Sequence, residues 1–481
     1  MSTSTGEPSE EANTTADTAP QNNNPDSGGG NLLRRFLTAT ELDTRMLGMV
    51  AALIVVWCIF DIWSGLIRPN VGLFGGSFLT PRNLWTLLVQ TSSISIMATG
   101  MVLVIVMRNI DLSVGSMLSL VAVVTAVLQV YILGPAIGVG HLAIWILAVL
   151  CAITLGGVIG ALNGFLTAYA QIPAFIVTLG GLIAYSGIAF LVAQGVTVAP
   201  MDKTFKIMGG SVQQGWLGPF WSWAIAVVAC ILLAVSIVHG RRQRLRFKFP
   251  LRPVWAEVTL VGLGSIVVLG ITAVINAYAW PYGVIKQFAV ANNLTIPPGV
   301  ADRAGNAICT EGERIVKCAE GLTAYTGYAL PVIIAIAVGI TMTFIATRTR
   351  FGRYVYAVGG NPEAAELAGI NTRMLTVKVF ALMGVLVGIS AVISSARLDA
   401  ATNSLGALNE LYVIAAAVIG GTSLAGGLGT IYGAMIGALM MQSIQSGMAL
   451  LNLPAAYQNI VVGSVLVLAV FLDQVYRRRV Q

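Results

Sequence analysis

The segment Gly359-Gly360-Asn361-Pro362-Glu363-Ala364-Ala365-Glu366-Leu367-Ala368-Gly369-Ile370-Asn371 is a short polar stretch between two apolar runs. Its residue types spell a capped helix offered for docking. Asn361 suits an N-cap, where its side chain accepts from the first free N–H groups. Pro362 suits the first helical position, where the N–H it lacks is not needed. Glu363 and Glu366, beside Ala364 and Ala365, put negative charge in the early turns, where the helix dipole favours it. Gly369 supplies the left-handed residue that ends a helix. The result is roughly two turns, too short to stand alone in water, so something else must hold it, and a partner protein is the candidate.

Other chemistry is sparsely provided for. The phosphate-cradling pattern Gly-x4-Gly-Lys-Ser/Thr is absent, and no Gly-Lys pair occurs anywhere. The chain therefore carries no ATPase site of its own. His141 and His239 both lie near the ends of apolar runs, and no Cys/His grouping has zinc spacing. No catalytic residue, metal site or resident cofactor is expected. Coupling to a proton gradient calls for buried carboxylates or histidines, and candidates are few. Asp61 lies late in the first apolar run. Asp111 sits three residues from Arg108, either as a cap and local ion pair or as a proton relay. Arg397, Asp399 and Glu410 group in one loop and read as solvated.

Neutral polar side chains on apolar runs are better candidates for a path. Asn83, Thr86, Gln90 and Ser93 recur at helical spacing. Gln442, Gln445 and Ser446 do the same in a later run, and Asn163 sits mid-run beside Gly160 and Gly164. Amides and hydroxyls both donate and accept, which suits a neutral polyol. They serve equally as hydrogen bonds between helices, and both readings stand. Gly156-x3-Gly160-x3-Gly164, Gly384-x3-Gly388 and Gly433-x3-Gly437 predict close helix contacts.

The elements that must position these residues follow from composition. The chain has 481 residues, 56% hydrophobic and only 10% charged, with mean hydropathy +0.83, against about 25% charged in a soluble domain. This is an all-α, polytopic integral membrane protein in contact with lipid. Apolar runs fall near 46–67, 83–107, 114–134, 142–169, 173–194, 219–239, 253–280, 326–347, 374–395, 410–423, 430–450 and 459–473, about twelve segments of spanning type. The run at 410–423 is too short to span and enters Gly420-Gly421-Thr422-Ser423-Leu424-Ala425-Gly426-Gly427-Leu428-Gly429. It predicts a broken helix, tolerated at membrane depth only where protein or water covers it.

Basic loops set the orientation. Arg241, Arg242, Arg244, Arg246, Lys248 and Arg252 fill loop 240–252, and Arg348, Arg350, Arg353 and Arg373 lie within 348–373. Arg477, Arg478 and Arg479 mark a basic C-terminus, 474–481, and Arg34, Arg35 and Arg45 precede the first run. An even number of spans puts all of these, both termini and the capped helix on the cytoplasmic side. Residues 1–45 read as a disordered cytoplasmic tail and lead-in to a transmembrane domain over 46–473. Its first 31 residues contain no Lys or Arg and are rich in Ser, Thr, Asn, Gly and Pro. The net charge of +7 forms no contiguous patch, which argues against nucleic acid. Residues 281–325 form an outer insertion holding Cys309 and Cys318, either a disulfide or two free thiols. Trp57, Trp63, Trp85, Trp145, Trp221, Trp223, Trp255 and Trp280 mostly sit near run ends, as interface anchors do.

Glu363-Ala364-Ala365-x3-Gly369 resembles the EAA-x3-G loop of bacterial ABC importer permeases. Thr349-Arg350-Phe351-Gly352-Arg353 and Tyr356-Ala357-Val358-Gly359-Gly360-Asn361 resemble its ribose/galactose/xylose branch. So do Ile110-Asp111-Leu112-Ser113-Val114-Gly115-Ser116 and Ile419-Gly420-Gly421-Thr422-Ser423-Leu424-Ala425-Gly426-Gly427. The resemblance covers roughly 45–475. Pro173-Ala174-Phe175-Ile176-Val177-Thr178-Leu179-Gly180-Gly181, Gly195-Val196-Thr197-Val198, the Arg241-Arg242-Gln243-Arg244 loop between an extra pair of runs, and the chain length resemble the xylose type most.

The resemblance implies an ABC importer permease fold in a bacterial inner membrane, moving a monosaccharide, D-xylose first, from periplasm to cytoplasm. It implies a permease homodimer, two cytoplasmic ABC ATPases or one double-cassette chain that bind ATP and Mg, and a periplasmic sugar-binding protein. It makes 361–369 the coupling helix, inserted into a groove of the ATPase. Another sugar, a nucleoside, an autoinducer or a branched-chain amino acid remain alternatives within the same machinery, and a self-sufficient secondary transporter or channel remains one outside it.

Overall fold

The chain is described by a computed structural model covering residues 40, 44–67, 75–212, 215–280, 308–311, 314–317 and 325–480. The expectations for the N-terminal tail up to residue 39 and for Cys318 lie outside the described residues. Every apolar run read from the sequence is helical. In chain order the helices are α1 (Thr44–Leu66), α2 (Pro81–Val106), α3 (Val114–Val127), α4 (Leu142–Ala168), α5 (Ala174–Ala193), α6 (Gly218–Arg246) and α7 (Val254–Asn276). After a hairpin of β1 (Ile308–Glu311) and β2 (Arg314–Lys317) come α8 (Leu330–Arg348), α9 (Arg350–Gly360), α10 (Pro362–Leu367) and α11 (Thr372–Leu398). Last come α12 (Asn409–Ile419), α13 (Ile431–Leu450) and α14 (Ala455–Val480). Beyond Val127, α3 continues through a π turn to Ile137.

Among the described residues, nine helices are long and apolar enough to cross a membrane. All of the roughly twelve apolar runs are helical, and nine of those helices meet that length and composition. α12 and the apolar part of α14 are short, and the polar content of α13 (Gln442, Ser443, Gln445, Ser446) keeps it out of that class. The break after α12 is where the glycines predicted it. Gly421, Gly426 and Gly427 take positive φ; Thr422 and Ser423 are buried, while Ala425 and Leu428 are exposed.

α2 is the centre of the bundle, with 94% of its apolar window buried; α8, α11, α12 and α13 surround it. α1, α5, α6 and α7 turn large apolar side chains outward, as helices facing lipid do. The β1–β2 hairpin is antiparallel, pairing Cys309 with Val316; together with Tyr325, which bridges to Ala279, it makes up the insertion's described residues.

The closest helix contact joins α4 to α11. A Cβ added at Gly156 or Gly160 would overlap the carbonyl of Gly384 or Phe380, and one added at Gly384 or Gly388 would overlap that of Gly156 or Ala152. α12 and α13 repeat the device through Gly420, Gly433 and Gly437. Lipid tails are as apolar as Leu, so close backbone approach and dispersion hold such helices together. Gly384→Val should destabilise the folded protein by about 1–3 kcal/mol, the usual cost of overpacking. A lower melting midpoint in detergent would register it. Gly180→Ala, where nothing lies within 4 Å of the new Cβ, should leave the midpoint in place.

Candidate functional site

α10 has the caps its sequence predicted. Asn361 Oδ1 accepts from Ala364 N at 3.0 Å, and Pro362 opens the helix. Gly369 has φ +82°, and the Ile370 and Gly369 amides donate to the Ala365 and Glu366 carbonyls, closing the C-terminal end. Two residues later, Asn371 Oδ1 caps α11 by accepting from Met374 N at 2.9 Å. Ala365 is buried against the body of the protein, while Glu363, Ala364, Glu366 and Ala368 are exposed. Leu367 is 90% exposed, a large apolar side chain offered to solvent that the motif reading passed over. A groove of about 300 Å³ beside it is lined by Arg350, Tyr354, Asn371 and Lys378, among others. The surface combines an apolar knob, two carboxylates and a basic groove, which suits a protein partner.

The junction that carries α10 is held from behind. Arg108 Nε donates to Gly359 O at 2.9 Å and its Nη2 to Gly360 O at 2.7 Å. These are C-terminal carbonyls of α9, where a cation is doubly favoured because the groups are orphaned and the dipole is negative. The expected Arg108–Asp111 ion pair is thus corrected: Arg108 turns to a helix end 251 residues away. Gly427 N donates to Val106 O at 2.9 Å, and Tyr356 Oη donates to Gly429 O at 2.7 Å. A side chain at Gly359 would overlap Val106 O, and one at Gly426 would strike Arg108 itself. The three motif segments, 106–116, 356–361 and 420–429, meet in one knot.

Asp111 serves the next turn. Its Oδ1 accepts from Ser113 N at 2.9 Å and Ser113 Oγ at 2.6 Å. Burial pushes the carboxyl above its ordinary range, and the Ser113 hydrogen bonds pull it partly back. Ser113 Oγ accepts from Asn163 Nδ2 at 3.0 Å, and Asn163 Oδ1 accepts from Tyr185 Oη at 2.6 Å. Asn163 therefore belongs to a buried network joining α4 and α5 to this loop, apart from the other path candidates.

Those others come together on α2. Gln90 Oε1 accepts from Gln442 Nε2 at 3.0 Å, and Asn83 Oδ1 accepts from Ser446 Oγ at 3.1 Å. Ser93 and Ser394 hydroxyls lie 2.9 Å apart, and Ser390 Oγ donates to Ser93 O. Gln445 is half-buried beside the Tyr412 hydroxyl. The polar stripe of α2 thus faces α13 on one side and α11 on the other. The loop reading of Arg397, Asp399 and Glu410 as a solvated group is corrected. Glu410 is buried against Gly115. Asp399 pairs with Lys206 and accepts from Met201 N. Arg397 is half-buried at the wall of a cavity.

Comparison with known proteins follows the same lines. The profile of the family described as branched-chain amino acid transport system / permease component matches residues 83–244 and 251–470. The xylose transport system permease protein of Escherichia coli is 34% identical over 460 residues, 95% of this chain and 96% of that protein. Its Haemophilus influenzae counterpart is 35% identical over 83% of this chain and 90% of that protein. The ribose import permease protein of Escherichia coli is 30% identical over 84% and 89%. No solved structure gives a significant match.

Arg108→Ala should free the α9–α10 junction, since each hydrogen bond to a charged group contributes about 1.5–3 kcal/mol. Hydrogen exchange of the amides from Asn361 to Ile370 should accelerate, while those of α4 and α5 keep their protection. Unchanged exchange across 361–370 would rule out the anchoring role.

Proposed function

We propose, from the premise that this chain belongs to the branched-chain amino acid transport system / permease component family, that it is the membrane subunit of an ABC importer for a monosaccharide, D-xylose before others. Membership makes it a multi-pass membrane permease subunit rather than an enzyme. The near-complete coverage of two xylose permeases supports the sugar.

The observation that carries the mechanism is α10. It is a capped helix exposed on one side and tied at its root by Arg108 to the membrane bundle. It is the coupling helix of our reading, and Asn361, Pro362, Glu363, Ala364, Ala365, Glu366 and Gly369 build it. The partner is a cytoplasmic ABC ATPase, supplied as two chains or one double cassette. That partner binds ATP and Mg, because this chain has no phosphate loop. Two permease copies form the pore, and a sugar-binding protein delivers substrate at the face opposite α10. The basic loops favour a bacterial inner-membrane orientation with both termini and α10 in the cytoplasm. Closure of the ATPases pushes α10 and shifts the permease between outward and inward states. The shift is as large as the difference in partner binding between those states. The polar stripe Asn83, Gln90, Ser93, Gln442 and Gln445 lines the central helices and offers neutral donors and acceptors to a polyol, and Asn163 steadies the loop beneath.

Leu367→Asp and Glu363→Arg test the coupling assignment. Loss of a buried apolar anchor costs a protein interface ~1–2 kcal/mol or more, so Leu367→Asp should weaken ATPase capture about tenfold, and the reversed charge of Glu363→Arg should weaken it as well. Sugar uptake should fall with it while membrane insertion is unaffected. Full uptake in both variants would refute the role of α10. Substrate-stimulated ATPase activity of the reconstituted complex, compared across D-xylose, ribose, arabinose and galactose, checks the sugar; stimulation by none of the pentoses would refute the assignment.

A further inference from the structure

The end of α2 remote from α10 borders a cavity of about 190 Å³, on the scale of one monosaccharide ring, lined in part by Trp85, Thr86, Gln90, Ser211, Trp216 and Arg397. Trp216 is absent from the tryptophans that the sequence marks as anchors, because it lies in the loop between α5 and α6. Its ring meets Trp85 edge to face, with centroids 6.0 Å apart and planes at 89°. Both indoles are tied by their edges. Trp85 Nε1 donates to Gly327 O at 2.9 Å and Trp216 Nε1 to Gly210 O at 2.7 Å. Tyr278 packs against Trp85 and Trp280 against Trp216, so the two indoles form one braced aromatic wall of the cavity.

The polar groups at this cavity are only partly spent. Gln90 uses its oxygen on Gln442, which leaves its amide hydrogens to donate. Thr86 Oγ1 donates to Arg82 O, which leaves its lone pairs to accept. Arg397 makes no hydrogen bond or ion pair with a described residue. The carboxylate two residues on, Asp399, is taken by Lys206 and Met201 N. A half-buried guanidinium without a partner bears a desolvation cost that a ligand offsets. Its fork of N–H donors matches two neighbouring hydroxyl oxygens, and the aromatic wall suits the C–H face of a pyranose. Few polar groups converging on aromatic walls is the pattern of a small-molecule site.

We propose that this cavity is a monosaccharide-binding vestibule, with Trp85 and Trp216 packing the sugar ring and Arg397, Gln90 and Thr86 holding its hydroxyls. This rests on the sugar-permease reading and deepens it by naming the residues that receive sugar first. The full-length protein in detergent, titrated with D-xylose, should show saturation transfer to the sugar's C–H protons by NMR. Trp216→Ala and Arg397→Gln should each weaken the D-xylose affinity read from that titration about tenfold, equivalent to 1.4 kcal/mol. They should also lower the maximal uptake rate in cells at unchanged membrane level and melting midpoint. Arg397→Lys should restore part of both. Trp221→Ala, at a ring 61% exposed on the outer surface of α6, should change neither.

The two readings fail separately. Wild-type uptake of D-xylose with full affinity and rate in Trp216→Ala and Arg397→Gln overturns the vestibule and leaves the importer standing. Transfer to D-xylonate with none to D-xylose overturns the neutral-sugar assignment. A wild-type chain that imports no pentose with its binding protein and ATPase overturns both.

Discussion

Backbone polar groups in a membrane have no water to turn to, and that constraint decides where this chain leaves the helix. It leaves at few places inside the bundle, and at each the stray groups are claimed by other protein. Between α2 and α3, the Val106 carbonyl is taken by Gly427 N, and Asp111 takes the Ser113 amide. Between α12 and α13, Ser423 N donates to Leu428 O and the Gly429 carbonyl accepts from Tyr356. At the end of α9, the Gly359 and Gly360 carbonyls are taken by Arg108. These claims are mutual, so the three breaks sit against one another. Glycine is required where they cross, since a side chain at Gly359 would meet Val106 O. Arg108 itself has φ 61°, a left-handed conformation that a non-glycine residue adopts only when its surroundings demand it.

The same constraint gives polar side chains two duties. Gln90 and Gln442 bond to each other across α2 and α13, as do Ser93 and Ser394 across α2 and α11. An amide with two donors and one acceptor oxygen is not exhausted by one such bond. Under the proposed path, helix pairing and substrate contact would be alternatives in time for one residue, and a path that closes between cycles needs side chains able to exchange one partner for the other. Asn163 is engaged at both its oxygen and its nitrogen, by Tyr185 and Ser113, as Asn83 is by Ser446 and the Phe78 carbonyl. What sets Asn163 apart is its network, which joins α4 and α5 to the loop before α3.

Helices, caps and close contacts were legible because each depends on residues near in sequence or on a regular repeat. α10 is the clearest case, with cap, proline, carboxylates and terminating glycine all within nine consecutive positions. The Gly-x3-Gly repeats exposed the α4–α11 and α12–α13 contacts for the same reason. The partner of Arg108 was not legible. Asp111 is the nearest opposite charge in sequence, and nothing local reveals that a helix end 251 residues on presents two free carbonyls. Glu410 reads as a loop residue because its burial depends on Gly115 coming alongside. Trp216 was missed because it follows no span end, and its value comes from Trp85 on another element. α13 is less apolar than the other long helices, because its polar side chains face the polar stripe of α2 rather than lipid.

One helix connects the two ends of this machine. α2 runs unbroken over 26 residues, about 39 Å at 1.5 Å per residue, from Trp85 and Gln90 to the turn that carries Arg108. It contains no proline after its first residue and no chain break, and it is buried almost throughout, so bending it would disturb packing on every side. Under the coupling role proposed for α10, its displacement would act on the Gly359 and Gly360 carbonyls, pass through the Arg108 fork, and reach α2 as a shift along or about its axis. The outer residues of α2 must then move against α11 and α13, the helices that hold their hydrogen-bond partners. Coupling through a rigid element needs a discrete alternative at its far end. The pairs Gln90–Gln442 and Asn83–Ser446 supply one, because each is broken or made as a unit. A bidentate arginine at the near end suits this duty better than a lysine would, since two bonds fix direction as well as distance.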